Sequence, residues 1–136
     1  MNLRRREKQL VQECSVYLSG HYAEYIANQN RPVPDWAWLS ILAHASPEQL
    51  RILATETAGW DARRTRTAVW WQAVGFLAGE ILSQQDDDHS LDELRRSVLV
   101  PLELKRLTEG RPFNRPRQLV TMVLDALDQH PSSRPR

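Results

Sequence analysis

Arginine is the residue type of this chain that most clearly suggests binding, because each guanidinium group pairs with a carboxylate or a phosphate. Of the 18 basic residues, 16 are arginine and 2 are lysine, although the formal net charge is only +1. A planar guanidinium group can make two parallel hydrogen bonds to a phosphate, which a lysine ammonium cannot do. Function therefore depends on which arginines have no carboxylate placed to pair with them.

Four arginines have such a carboxylate on a predicted helix. In each case an acidic residue precedes the arginine by three positions, a spacing that places both side chains on one helix face. The pairs are Glu48–Arg51, Asp92–Arg95, Glu93–Arg96 and Glu103–Arg106. We assign these four arginines to the ordinary helix surface.

Most of the other arginines form clusters without matching acids. Those that we interpret as nucleic-acid contacts are Arg4, Arg5, Arg6, Arg63, Arg64, Arg66, Arg111, Arg115 and Arg117. Two of the clusters, at residues 63–66 and 111–117, lie at predicted helix amino ends. There the macrodipole disfavours each cation by about 0.3–1 kcal/mol. A bound phosphate reverses that effect, because helix-end N–H groups also bind anions. We expect residues 4–6 to act as a mobile arm.

Tryptophan is also abundant, with five residues in the chain. Trp60, Trp70 and Trp71 lie close in sequence to the cluster at residues 63–66. Trp70 and Trp71 point about 100° apart on a helix, so they cannot be equally buried. Core packing is the expectation for each ring taken singly. An exposed ring could instead stack on a base or fill an interface pocket.

Candidate catalytic and metal-ligating groups are few. The acidic run at residues 86–88, followed by His89, lacks the glycine turn and spaced ligands of a calcium loop. His21 and Glu24 share a helix face, but no second such pair completes a dinuclear metal site. His44 lies in an apolar helix, where a hydrogen-bonded core histidine is expected. We therefore predict a chain that is not an enzyme and that holds no metal and no cofactor.

Helical periodicity supplies the elements that position these residues. Helices are predicted over residues 6–28, 36–45, 47–59, 61–84, 90–110 and 115–129. Capping boxes that begin at Ser46 and Ser90 mark the starts of the third and fifth helices. Pro101 predicts a kink or a break near Val100. Gly75 and a second glycine one turn later indicate close helix packing.

These patterns predict an all-α fold, a compact bundle of six helices, or seven if the proline breaks the fifth. We expect a single domain over residues 1–129 and a flexible tail over residues 130–136. The single cysteine, Cys14, excludes an internal disulfide. No apolar run is long enough to cross a bilayer, and the first residues lack the apolar segment of a signal peptide. We therefore expect a cytoplasmic protein with no membrane partner.

Taken together, the patterns predict a non-catalytic helical subunit that contacts the backbone of RNA or single-stranded DNA. Self-association or a larger protein complex is expected with it. The architecture is similar to that of small subunits of CRISPR effector complexes, which are short, all-helical and rich in arginine, although no motif is shared. Two alternatives stay open. One is a protein–protein adaptor, and the other is a helix-turn-helix DNA-binding regulator built on residues 53–69.

Overall fold

The computed structural model describes five segments of the chain. These are residues 3–14, 35–60, 67–84, 88–109 and 113–129. Every regular element within them is helical, which confirms the predicted all-α fold. The predicted tail and the second half of the first predicted helix lie outside the described residues.

The described segments contain seven assigned α-helices. They are α1 (Leu3–Cys14), α2 (Asp35–His44), α3 (Pro47–Glu56), α4 (Ala68–Ser83), α5 (Asp88–Leu94), α6 (Val100–Glu109) and α7 (Pro116–Gln129). A 3₁₀ turn, Thr57–Gly59, follows α3, and a π turn, Arg95–Leu99, joins α5 to α6 as one continuous helix. With α5 and α6 taken together, the described part has six helices, as predicted. None of these helices has the length and apolar character that a bilayer span requires.

The helix starts test the two predicted capping boxes. At α3 the Ser46 hydroxyl accepts a hydrogen bond from the Gln49 backbone N–H, and the Gln49 side chain accepts one from the Ser46 N–H. This reciprocal pair confirms the first box. The second prediction is wrong, because α5 already begins at Asp88 and Ser90 lies inside the helix. An aspartate at the first position is favoured by the positive end of the macrodipole.

Pro101 is accommodated without a break in the helix. Immediately before it, the α-helical pattern widens into the π turn, in which the Val100 N–H donates to the Arg95 carbonyl five residues earlier. A proline removes a donor, and its ring crowds the carbonyl of the preceding turn. The wider turn lies where the crowding would occur, and α6 then continues to Glu109. The predicted break near Val100 does not occur, and a π turn takes its place within a continuous helix.

The core is centred on α2 and α4. Helix α2 contributes five apolar side chains that are almost fully buried, namely Trp38, Leu39, Ile41, Leu42 and Ala43. Helix α4 is buried on most sides as well, and it packs against α2, α3 and α7. A helix that is apolar around most of its circumference belongs at the centre of a fold. Leu10 of α1 and Leu119, Val123 and Leu127 of α7 complete the core from outside.

Gly75 sets the closest approach between α3 and α4. A Cβ at this position would overlap the Thr57 side chain and would lie 2.7 Å from the Leu53 carbonyl oxygen. Only a residue without a side chain fits, which confirms that Gly75 marks close helix packing. A Cβ at Gly79 would instead lie 3.7 Å from Ala54 Cβ, an ordinary contact. The two glycines are therefore not equivalent.

Three tryptophans form the middle of the core. The rings of Trp38 and Trp71 meet edge to face at 4.8 Å between centroids, and Trp60 lies 5.9 Å from Trp71. Trp71 is 0% exposed, whereas Trp70 is only partly buried and stacks on the outer side of Trp38 at 6.0 Å. The prediction that Trp70 and Trp71 are unequally buried is confirmed. Trp60 and Trp71 are core residues.

Candidate nucleic-acid interface

The nine predicted contact arginines divide into three groups in the structure. Arg63, Arg64, Arg66 and Arg111 lie outside the described residues. Arg4, Arg5 and Arg6 belong to α1, where the Arg4 side chain is not described and Arg5 is exposed. Arg115 and Arg117 are exposed at the amino end of α7. Among the described residues, Arg115 and Arg117 at the α7 end are therefore the candidate interface.

Arg6 is held in place and does not belong to a mobile arm. Its guanidinium makes a two-pronged ion pair with Glu56 of α3, with Nη2 2.7 Å from Oε1, and it also contacts Glu13 at 3.2 Å. The hydrogen bond to Glu56 raises the pKa of Arg6 further above its already high usual value. The backbone is helical from Leu3 onward, so the expectation that residues 4–6 form a mobile arm is wrong. Arg6 has a structural role in docking α1.

The amino end of α7 carries two cations where the macrodipole disfavours them. Arg115 and Arg117 flank Pro116, the first helical residue. Neither arginine has a carboxylate within ion-pair distance among the described residues. The Gln118 side chain caps this end: its Oε1 accepts hydrogen bonds from the N–H groups of Asn114, at 2.6 Å, and Arg115, at 3.2 Å. The cap is neutral, so it leaves the positive charge uncompensated.

A groove of about 700 Å³ lies beside these arginines, between α6 and α7. We call it the α7 groove. Its lining residues are Arg106, Phe113, Asn114, Arg117, Gln118, Thr121 and Met122. The set contains two cations, two carboxamides and a hydroxyl. The carboxylate of Glu109 lies beside it and pairs with Arg106, so Arg117 supplies most of the positive charge that favours an anionic ligand.

Arg106 forms the inner wall of the α7 groove with Phe113. Its guanidinium carbon lies 4.3 Å from the centroid of the Phe113 ring, a cation–π contact. Nη1 of the same residue lies 3.4 Å from the Glu109 carboxylate, one turn further along α6. Only 13% of the Arg106 side chain is exposed. The ring and the carboxylate therefore hold the guanidinium in one orientation.

The predicted pair between Glu103 and Arg106 does not form. Glu103 is buried, and its carboxylate binds two residues of α2: it accepts a hydrogen bond from the Ser40 hydroxyl and lies 2.8 Å from His44 Nε2. Helix packing against α2 turns Glu103 inward, while Arg106 faces Phe113. The expected hydrogen bond of His44 is confirmed.

The polar group of Ser40, His44 and Glu103, in which His44 is half-buried, does not have the arrangement of a nucleophilic site. The carboxylate stands between the hydroxyl and the imidazole, so the histidine has no contact through which to take the serine proton. Its geometry is that of a polar tie between α2 and α6. Among the described residues, no three histidine, cysteine or acidic side chains converge as a metal site would require.

Arg106 and Phe113 were not among the predicted contacts. Arg106 was assigned to the helix surface because Glu103 precedes it by three residues. Phe113 stands between two arginine positions and directly before a helix start, a pattern that could have marked an aromatic residue at the interface. The groove itself depends on how α6 meets α7, which local spacing does not encode.

Comparison of the chain with protein-family models, with curated proteins and with solved structures gives no match. Its function is therefore inferred from the geometry of the chain itself.

Proposed function

We propose that the chain is a non-catalytic helical subunit that contacts the phosphate backbone of nucleic acid at the amino end of α7. The observation that carries this proposal is the position of Arg115 and Arg117. Both are exposed, and neither has an acidic partner in the described part of the chain. Both also lie where a helix end disfavours cations until an anion binds.

The α7 groove supports a phosphate-bearing partner over an acidic protein surface. Arg117 joins the exposed rim to the groove, whose described lining contains polar side chains and no carboxylate. Phosphates recur at a regular spacing along a strand, so a row of arginines can follow a backbone without reading its sequence. Arg63, Arg64, Arg66 and Arg111 lie outside the described residues, and they remain part of this proposal as further phosphate contacts.

The proposal includes the setting in which such a subunit works. A single small cationic end binds nucleic acid weakly at physiological salt, because each lost phosphate contact lowers the affinity directly. Assembly with other subunits, or with further copies of this chain, adds contacts and raises the effective concentration. We therefore propose a cytoplasmic nucleoprotein assembly on RNA or single-stranded DNA.

The decisive experiment compares salt dependence between variants. Fluorescence anisotropy of labelled single-stranded RNA and DNA is measured between 50 and 300 mM salt, and the logarithm of the affinity is plotted against that of the salt concentration. For the double variant Arg115→Ala/Arg117→Ala we expect weaker binding and a slope reduced by about 1 for each lost phosphate contact.

The matched control is Arg51→Ala/Arg96→Ala, which removes the same charge. Both of these arginines are exposed, and neither lines the α7 groove. A slope that falls equally in both double variants would show that only net charge matters. No binding by the unaltered chain at 50 mM salt would reject the proposal.

A protein–protein adaptor is the second candidate, and an exposed apolar face supports it. Phe76 is 51% exposed and Val69 is 42% exposed, and they lie seven residues apart on the same side of α4. The test is recovery of a protein partner from nuclease-treated lysate at high salt, compared with the variant Phe76→Ser. The burial of α4 on its other sides disfavours the helix-turn-helix alternative, because a recognition helix needs an exposed face to enter a groove of DNA.

A further inference from the structure

We infer that α6 carries a self-association surface, through which two copies of this chain pack about a two-fold axis. The surface consists of the exposed Leu104 side chain and of an apolar pocket beside it, and each copy places its leucine in the pocket of the other. The pocket shares no described lining residue with the α7 groove. The inference gives the proposed assembly a contact between copies. It is tested without nucleic acid, so either proposal can fail alone.

Leu104 is the most exposed large apolar side chain in the described part of the chain, at 56%. A single exposed leucine is ordinary on a protein surface, whereas a continuous apolar patch indicates an interaction site. Here the patch is continuous, because Pro101, one turn earlier on α6, is also exposed and forms part of the pocket wall. Leu104 therefore stands at the edge of an apolar surface.

The pocket lies between the start of α6 and the end of α7, and its volume is about 370 Å³. We call it the α6 pocket. Its apolar walls are formed by Val98, Pro101, Leu102 and Ala126, and Lys105 is the one charged residue of its described lining. Water in such a pocket meets few polar groups, so its replacement by an apolar side chain is favourable.

Leu104 and the α6 pocket belong to the same face of the molecule, which favours a second copy as the occupant. In a two-fold dimer, a residue that contacts a second residue of the other copy is contacted by it in turn. One face can therefore provide both halves of the fit, and the same contact forms twice. The formal net charge of +1 leaves little repulsion between copies.

The charges beside the α6 pocket are complementary in the same way. Lys105 lines the pocket from α6, and Asp125 of α7 directly precedes the lining residue Ala126. Both charged residues are exposed, and neither has an ion-pair partner in the described part of the chain. Two-fold packing lets Lys105 of each copy pair with Asp125 of the other. Exposed pairs add little affinity, but they fix the register in which two surfaces meet.

Sedimentation equilibrium of the purified full chain, between 10 and 500 µM and without nucleic acid, measures the dissociation constant of the dimer. We expect a monomer–dimer equilibrium in this range, because the burial of two leucine side chains offsets only part of the cost of association. Leu104→Ser should raise the dissociation constant at least about ten-fold, since each dimer loses the contact twice. Circular dichroism confirms that the variant is folded.

Two further variants test the location of the contact. Ser97 is exposed and lines the α6 pocket, so Ser97→Phe fills the pocket and should weaken the dimer as strongly as Leu104→Ser while Leu104 is intact. Phe76→Ser is the matched control, because it removes a side chain of similar exposure, 51%, from α4. It should leave the dissociation constant unchanged.

A charge exchange tests the register of the two copies. Lys105→Glu and Asp125→Lys should each raise the dissociation constant at least about three-fold, because like charges then face each other. The double variant Lys105→Glu/Asp125→Lys re-forms both pairs with reversed signs and keeps the net charge. It should recover most of the affinity that either single variant loses.

Three results would overturn the inference. A chain that stays monomeric at 500 µM has no such surface. A dimer that Phe76→Ser weakens more than Leu104→Ser has its contact on α4. A double charge variant that recovers no affinity shows that Lys105 and Asp125 do not meet. None of these results alters the salt dependence that tests the phosphate contacts of the α7 end.

Discussion

Aromatic rings have different neighbours in two regions of this molecule. In the tryptophan core, Trp71 contacts other rings and is fully buried. In the α7 groove, Phe113 contacts the guanidinium of Arg106, and polar side chains surround the pair. The number of tryptophans drew attention to the first region, where the rings serve packing. In the second region, the ring instead contacts a charged side chain beside a groove.

The largest expected effect lies in the tryptophan core. Trp71→Ala should lower the free energy of unfolding by about 3–5 kcal/mol, because it removes a ring packed on all sides. Urea denaturation measures this loss. Trp71→Phe should cost less, since it keeps an aromatic ring and removes an Nε1–H that has no acceptor within the described residues. A loss below 1 kcal/mol for the alanine variant would contradict the core assignment.

Glu103 and Glu109 extend the comparison to two carboxylates of α6. Glu103→Ala should destabilise the chain by about 1.5–3 kcal/mol, because it leaves Ser40 and His44 without their partner. Glu109→Ala removes an exposed ion pair and should cost less than about 1 kcal/mol. Thermal unfolding measures both losses.

The two glycines of α4 provide a matched pair. Gly75→Ala should destabilise the chain by about 1–3 kcal/mol, because its methyl group would force α3 and α4 apart. At Gly79 there is room for the methyl group, and alanine is the better helix former by up to about 1 kcal/mol. Gly79→Ala should therefore be neutral or stabilising. Equal melting temperatures for the two variants would contradict the packing described here.

The smallest expected effect has the opposite sign. Arg117→Ala should raise the free energy of unfolding by about 0.3–1 kcal/mol, because it removes a cation from the positive end of α7. The same variant should bind nucleic acid more weakly. A gain in stability with a loss of binding is the pattern of a residue retained for function. Chemical denaturation in low salt gives the best resolution, and a loss of stability would show that Arg117 has a structural partner.

Much of the fold followed from local patterns. The inward faces of α3 and α7 and the burial of α2 follow from helical periodicity, and the start of α3 follows from the Ser46 capping box. These features depend on residues within one or two turns of each other. The start of α5 was misplaced because a capping box at Ser90 outweighed the acidic residue two positions earlier.

The candidate site was only partly predictable, because its decisive contacts join distant residues. Glu103 meets His44 and Ser40 at separations of 59 and 63 residues, and Arg6 meets Glu56 at a separation of 50. A rule based on spacings of three residues assigned Glu103 to Arg106 and left Arg6 without a partner. Arg115 and Arg117 were identified correctly as exposed cations at a helix start, because that property is local.

The π turn at Arg95–Leu99 also gives the chain one position at which it can tolerate a change in length. A π turn is equivalent to one residue inserted into an α-helix, so deleting one residue there can restore regular α-helical geometry. Because the wider turn already accommodates the extra residue, α6 would keep its orientation relative to α5, and Glu103 would still face α2. The same deletion within α6 before Glu103 has no extra residue to absorb, so it would rotate Glu103 by about 100° about the helix axis and away from Ser40 and His44.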